Sequence, residues 1–123
     1  MENTRSKSLL VVIRHSPYGS SLSRASLDVA LSAAAFEQPL SLLFTGDGVL
    51  QLRPGQDTQA WGVKNLERLL ASLPLYDIDQ VYVDAESAAR YALDLEVAPL
   101  PALSLDRTAI RELMDKHDHV LGF

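Results

Sequence analysis

The sequence predicts an α/β fold: a single-domain, three-layer sandwich, with a mostly parallel sheet of about five strands and helices on both faces. Short apolar runs alternate along the chain with longer segments in which apolar residues recur at helical spacing. This is the order expected of β-α-β units. The first run, residues 9–13 (LLVVI), has β-branched residues and no polar face, as expected for a strand covered on both sides. A length of 123 residues with 47% hydrophobic residues suits one globular domain.

The first predicted strand ends before residues 16–19 (SPYG), because proline lacks a backbone N–H donor and glycine permits a turn. Residues 20–36 carry apolar side chains at helical spacing, and their alanine-rich second half predicts a helix close to the sheet. Residues 40–45 predict the second strand. Residues 46–48 (GDG) then predict a tight loop at its exit, because glycine accepts positive φ angles.

The middle of the chain predicts a second helix over residues 64–73, where an apolar stripe lies opposite charged residues. Pro74 ends this helix, since proline cannot continue the hydrogen-bond ladder. Residues 80–84 alternate in polarity and predict the third strand. Residues 86–92 predict a short helix behind it.

The last part of the chain predicts an edge strand, a helix and a final strand. Two prolines limit residues 97–105 to a short or edge strand. Asp106 is a good N-cap for a helix that runs to Lys116. Residues 119–123 predict the last strand.

Composition excludes several functions. The net charge of −5 disfavours direct nucleic-acid binding, which needs a basic face to replace counterions. The chain has no cysteine, and therefore no disulfide, thiolate nucleophile or cysteine metal ligand. We expect one domain over residues 1–123, frayed at residues 1–7, with no targeting segment or membrane span and hence a cytoplasmic location.

Two carboxylates near predicted strand ends are candidates for chemistry. Asp47 and Asp84 could share a metal ion or an acid/base role, or belong to a nucleotide- or phosphate-binding pocket. The glycines beside Asp47 could cradle a phosphate, but the aspartate would repel it, and neither a Walker nor a G-x-G-x-x-G pattern is present. The simpler interpretation is that these glycines only form a turn.

The histidines are weaker candidates. His15 and Ser16 place a base beside a hydroxyl, but neighbours on an extended segment point in different directions, which argues against a dyad. His117 and His119 flank an aspartate, yet a metal ion would need both imidazoles on one side and a third ligand from elsewhere. We therefore predict no catalytic residue, metal or cofactor for this chain.

Apolar side chains near loops predict a surface for other protein chains, because interface centres favour aromatic and apolar groups. Loops at the carboxyl ends of parallel strands usually carry the binding surface, which favours the loop after residues 40–45. Trp61, in the connection that follows, is a further apolar candidate. The predicted contact residues are Gly46, Asp47, Gly48, Val49, Leu50, Gln51, Leu52, Arg53, Leu75 and Tyr76.

Several segments, each weak alone, jointly resemble one family. They are residues 16–19 (SPYG), Arg24, residues 27–28 (LD), 43–49 (LFTGDGV), 51–52 (QL), 54–56 (PGQ), 75–78 (LYDI), 81–83 (VYV) and 118–123 (DHVLGF). Together they are similar to the TusC-type, or DsrF-type, members of the DsrE/DsrF-like family. The resemblance covers nearly the whole chain from Leu9.

The resemblance implies a small α/β subunit of a TusBCD-type sulfur relay, in which persulfide sulfur moves toward 2-thiouridine at the tRNA wobble position. It implies TusB-like and TusD-like partners in a heterohexamer, a dimer of heterotrimers, with TusA-like and TusE-like carriers meeting the TusD-like subunit. The sulfur-carrying cysteine of that sister subunit matches a position at or beside Asp84. A carboxylate cannot accept sulfane sulfur, so the resemblance implies a non-catalytic subunit.

The sequence is also compatible with other functions. One is a stand-alone small enzyme that uses Asp47 and Asp84, and another is a regulatory module that binds a nucleotide or phosphate. The resemblance also leaves open whether the chain serves tRNA thiolation or the related sulfur-oxidation branch of the family.

Overall fold

The computed structural model describes residues 7–17, 22–54 and 63–123. The strands are β1 (Leu9–Ile13), β2 (Leu40–Phe44), β3 (Val81–Asp84), β4 (Leu103–Leu105) and β5 (His119–Gly122). The α-helices are α1 (Leu22–Ala35), α2 (Val63–Ser72), α3 (Ala85–Arg90) and α4 (Arg107–Lys116). Short 3₁₀ helices cover Gly46–Leu52, Leu73–Tyr76 and Leu95–Val97.

The strands form one parallel sheet in the order β4-β3-β2-β1-β5, which confirms the predicted fold class. Leu9 of β1 lies between Leu40 of β2 and His119 of β5. The chain thus builds the sheet outward from β1 to β4, and α4 then crosses to the opposite edge. Both edge strands are largely exposed, β4 as the prolines predicted.

Two apolar layers enclose the sheet because side chains alternate along each strand. The larger layer packs α1, α2 and α3 against the first face, which includes Val11, Ile13 and Phe44. The smaller layer packs α4, through Leu113 and the half-buried Ile110, against the other face. Helices therefore cover both faces, as predicted.

Helix α4 begins where the sequence predicted, because Asp106 caps it. The carboxylate Oδ1 of Asp106 accepts a hydrogen bond from the amide of Ala109 at 2.8 Å. None of the helices in the described ranges has the length and apolar character needed to cross a bilayer. The turn at residues 18–19, part of the frayed end and Trp61 lie outside the described residues.

The prediction of a loop after β2 is wrong in one respect, because the segment Gly46–Leu52 forms a 3₁₀ helix. Val49 and Leu52 are three residues apart, which is one turn of such a helix, and both side chains are buried in the core. Gly46 does adopt the positive φ expected of it, at 56°. Gly48 meets a different demand, because a Cβ atom there would lie 2.0 Å from the carbonyl oxygen of Ile13.

We expect Gly48→Ala to lower the free energy of unfolding by about 1–3 kcal/mol, because the 3₁₀ helix must move away from β1 to admit a methyl group. Urea unfolding of the purified chain would measure the change. Gly122→Ala is the matched control, since the three atoms nearest to its added Cβ all belong to the side chain of Arg14, at 3.2 Å or more, and this side chain can move. Equal stability of the two variants would contradict the close approach.

Candidate functional site

Asp84, the residue that ends β3, is the centre of a hydrogen-bond network at the carboxyl edge of the sheet. Its Oδ2 accepts hydrogen bonds from the hydroxyls of Thr45, at 2.8 Å, and Ser87, at 3.1 Å. Its Oδ1 accepts one from the amide of Glu86 at 3.0 Å, so the carboxylate caps α3. The hydroxyl of Ser87 in turn accepts a bond from the amide of Gly46 at 2.8 Å.

The network favours the ionised form of the Asp84 carboxyl group. Partial burial acts to raise the pKa of the carboxyl, but the hydrogen bonds from Thr45, Ser87 and the amides of Glu86 and Ser87 outweigh it. The pKa of Asp84 is therefore lower than its ordinary value. A carboxylate that is surrounded by donors of its own chain is well suited to a structural role.

A small cleft lies beside this network, between the ends of β2 and β3 and one side of α4. Its volume is about 130 Å³, and it is lined by Thr45, Asp84, Arg107, Met114 and neighbouring residues. Arg107 forms an exposed ion pair with Glu86 at 3.2 Å. The cleft is small, and the one cation among the described residues that line it, Arg107, already has an anionic partner, so the geometry does not favour an anionic ligand.

Asp47 has a separate set of contacts. Its Oδ1 accepts a short hydrogen bond from the hydroxyl of Tyr91, at the end of α3. The hydrogen bond to Asp47, with burial and the charge of Asp47 as further causes, raises the pKa of Tyr91. Arg53 reaches the same segment, since its Nη2 donates to the carbonyl oxygen of Tyr91 at 2.8 Å. These two bonds tie the Gly46–Leu52 helix to α3.

The hypothesis that Asp47 and Asp84 act together gains no support from these contacts. Each carboxylate is bonded to different side chains, Tyr91 for one and Thr45 with Ser87 for the other. Across the described ranges, no group of three or more His, Cys, Asp or Glu residues is placed to hold a metal ion.

The two histidine candidates take part in structural contacts. The carbonyl oxygen of His15 accepts a hydrogen bond from Gln51 Nε2 at 2.9 Å. The ring of His117 lies between the carbonyl of Leu113, at 2.7 Å from Nδ1, and the hydroxyl of Ser41, at 3.0 Å from Nε2. His117 therefore joins the end of α4 to β2.

The ten predicted contact residues fall at opposite ends of the sheet. The segment 46–53 follows β2 at the carboxyl edge, whereas Leu75 and Tyr76 precede β3 at the amino edge. Of the first group, Gly48, Val49, Gln51 and Leu52 are buried within the chain. Side chains buried in this way act on a partner only through the shape of the segment. Asp47, Arg53, Leu75 and Tyr76 are exposed and Gly46 and Leu50 are half-buried, and the contact prediction rests on these six.

Sequence reasoning missed the residues that hold the site together. Thr45, Ser87 and Tyr91 were not singled out, although each bonds to a carboxylate that was. One signal was available: Asp84 stands three residues before Ser87 at the start of a short helix, a spacing typical of N-terminal caps.

Comparisons with known proteins agree with this architecture. The sequence model of the DsrE/DsrF-like family matches residues 7–123. A relative from Pseudomonas aeruginosa named "Protein TusC homolog" is 38% identical over 116 residues, which cover 94% of this chain and 98% of that protein. A protein from Allochromatium vinosum named "Intracellular sulfur oxidation protein DsrF" is 32% identical, over 95% of this chain and 96% of its own.

A solved structure supports the fold independently of close sequence similarity. The crystal structure of the ychN protein from E. coli aligns with a TM-score of 0.79 at 19% identity, over 95% of this chain and 99% of the other. With the family match over all but the first six residues and relatives above 30% identity, the assignment follows: the chain belongs to the DsrE/DsrF-like family.

Proposed function

We propose that this chain is a non-catalytic subunit of a TusBCD-type sulfur relay that passes persulfide sulfur toward 2-thiouridine at the wobble position of tRNA. One observation carries the proposal: a chain with no cysteine matches, over nearly its full length, relatives named TusC homolog and DsrF. Sulfane transfer needs a thiolate that attacks and leaves, and this chain has none to offer.

The partners that we propose are a TusB-like and a TusD-like subunit, in a heterohexamer made of two heterotrimers. TusA-like and TusE-like carriers would meet the TusD-like subunit, which holds the reactive cysteine. We place the relay in the cytoplasm, in keeping with the relative that is named an intracellular protein. This chain itself would bind no nucleic acid, since its net charge is −5.

The chain's own part is to present a rigid surface to its neighbours. At the carboxyl edge, the bonds from Tyr91 to Asp47 and from Arg53 to Tyr91 fix two segments against each other before any partner arrives. A preorganised surface loses less conformational entropy on binding, which favours a permanent assembly. Asp84 stabilises α3, the helix that ends beside Tyr91, as its N-terminal cap.

Co-expression with the TusB-like and TusD-like subunits of the same organism tests the proposal. We expect native mass spectrometry to find all three chains in one complex of two copies each. After labelling with a persulfide donor, the sulfur should be recovered on the TusD-like subunit, and deletion of this chain's gene should lower tRNA 2-thiouridine.

Three results would contradict it. They are labelled sulfur covalently bound to this chain, turnover by the chain in isolation, and failure of the three chains to associate. Unchanged 2-thiouridine in the deletion strain would reject the tRNA branch alone.

Arg53→Ala and Tyr76→Ala test the two proposed contact regions. Each should weaken the complex by roughly 5- to 30-fold in Kd, as truncation of an aromatic or arginine anchor commonly does. Sedimentation of the purified complex measures this. Arg111→Ala, which removes an exposed arginine from α4, is the control and should leave the Kd unchanged. A complex that survives both test changes intact would remove these regions from the interface.

The proposed structural role of Asp84 predicts a pH-dependent contribution to stability. Because folding lowers the pKa of this carboxyl, its stabilisation is complete above the ordinary value of 3.8 and is lost as the pH falls through the lower folded value. Asp84→Asn should therefore cost about 1–2 kcal/mol at pH 7, and the difference should shrink toward pH 3.

Urea unfolding of both proteins between pH 7 and pH 3 measures this difference. Asp115→Asn, at an exposed position on α4, is the control and should change the stability by less than about 0.5 kcal/mol throughout. If the free energies of unfolding of the wild type and of Asp84→Asn differ by the same amount at pH 7 and at pH 3, Asp84 does not act as an ionised cap.

A further inference from the structure

The amino edge of the sheet carries two adjoining clefts on the side of α1. Their volumes are about 420 and 240 Å³. Ala34, Tyr76 and Asp77 line both, so these residues form the wall between them. We call the two clefts and the residues that adjoin them in the chain, 36–37 and 75–79, the amino-edge surface; all of these residues except the buried Ile78 are exposed.

The apolar part of the amino-edge surface is unusually exposed. Phe36 is 82% exposed and Leu75 is 84% exposed, and each adjoins in sequence a residue that lines a cleft. Tyr76, between the clefts, is 56% exposed. Large apolar side chains in such a group mark an interaction surface, because water contact with them is unfavourable. A small ligand inside a cleft would leave Phe36 and Leu75 in water, whereas a protein segment laid across the surface would cover them.

The charged part of the amino-edge surface has one sign. Glu37, Asp77 and Asp79 line the larger cleft, and none of the described residues that line either cleft is a lysine or arginine. In the described part of the chain, no side chain forms an ion pair with these three carboxylates and no group donates a hydrogen bond to them. They are exposed and available to an outside cation.

Two of these acids stand where the backbone favours another residue. Glu37 and Asp77 have φ angles of 57° and 63°, in the left-handed region that glycine and asparagine adopt more readily. Each ends a helical segment, with its amide bonded back to the carbonyls of Ala34 and Pro74 respectively. Their carboxylates therefore project from fixed points of the surface.

We propose that the amino-edge surface docks a basic, apolar segment of a partner protein, with lysine or arginine side chains on the three carboxylates and apolar ones on Phe36, Leu75 and Tyr76. Charge complementarity selects this occupant. A second copy of this chain paired about a two-fold axis would set the same carboxylates against each other. The inference rests on the proposed function in one respect, since it gives the chemistry of the partner at one of the two contact regions.

A matched pair of triple variants tests the proposal. The test variant is Glu37→Asn, Asp77→Asn and Asp79→Asn, in which asparagine also suits the left-handed backbone, so folding should be unharmed. The control is Asp28→Asn, Glu96→Gln and Glu112→Gln, which removes the same charge at exposed positions outside both clefts.

The probe is a labelled synthetic peptide of leucine and lysine at amphipathic spacing, with a leucine and glutamate peptide as its counterpart. Fluorescence anisotropy should show that the test variant binds the basic peptide about tenfold more weakly than the wild-type chain does, as the loss of three screened ion pairs would give. The control variant should bind this peptide with the wild-type affinity. Tyr76→Ala should weaken binding while keeping its salt dependence, whereas the test variant should flatten that dependence. The acidic peptide should not bind.

Amide chemical-shift changes on titration of the basic peptide should map to residues 31–37 and 75–80. Shifts elsewhere, equal affinities of the two triple variants, or self-association through this surface in sedimentation would each overturn the proposal. If the chain assembles with its sister subunits but both triple variants behave alike, this inference fails and the proposed function stands. If the chain does not assemble with them at all, the proposed function fails and the peptide result still decides the inference.

Discussion

The approach of the Gly46–Leu52 helix to the end of β1 is the constraint on which the carboxyl edge depends. The amide of Thr45 donates to the carbonyl of Ile13 at 3.0 Å, and Gly48 then passes that carbonyl with no room for a side chain. This contact turns Val49 and Leu52 into the core. The charged residues of the same segment are left on the outside, where Asp47 and Arg53 bind the Tyr91 segment, whereas the side chain of Gln51 is buried. Core packing and surface shape thus have one cause.

Much of the fold could be predicted because buried parallel strands have a strong sequence signal. β1 has the predicted bounds, and β2 and β3 differ from theirs by one residue. The 3₁₀ helix was not predicted because seven residues with two buried apolar side chains, Val49 and Leu52, do not establish a period. Its glycines indicated a turn, and a turn was correct for Gly46 but incomplete for Gly48, whose role depends on a strand more than thirty positions earlier.

The sequence indicates Asp84 as a candidate residue but not the contacts that its carboxylate makes. Asp84 was singled out, yet its partner Thr45 lies 39 residues earlier and meets it only through the pairing of β2 with β3. Likewise, polarity does not predict that Gln51 is buried in the same short segment in which Asp47 is exposed. Side-chain direction in irregular segments depends on tertiary contacts, which local propensity does not encode. The family was indicated by the resemblance of several segments, whereas the contacts of Asp84, Asp47 and Arg53 became visible only in the structure.

The pairing of β1 with β5 has a consequence for how the protein is made. Ser8 and Asp118 bond across a separation of 110 residues, and β1 lies beside β5 over four residue pairs. A nascent chain can pair β1 with β2 early in translation, but the other edge of β1 stays open until β5 has been synthesised. Ribosomal pausing before that point would expose an apolar strand edge, which is a template for aggregation. Long-range closure of this kind also slows folding.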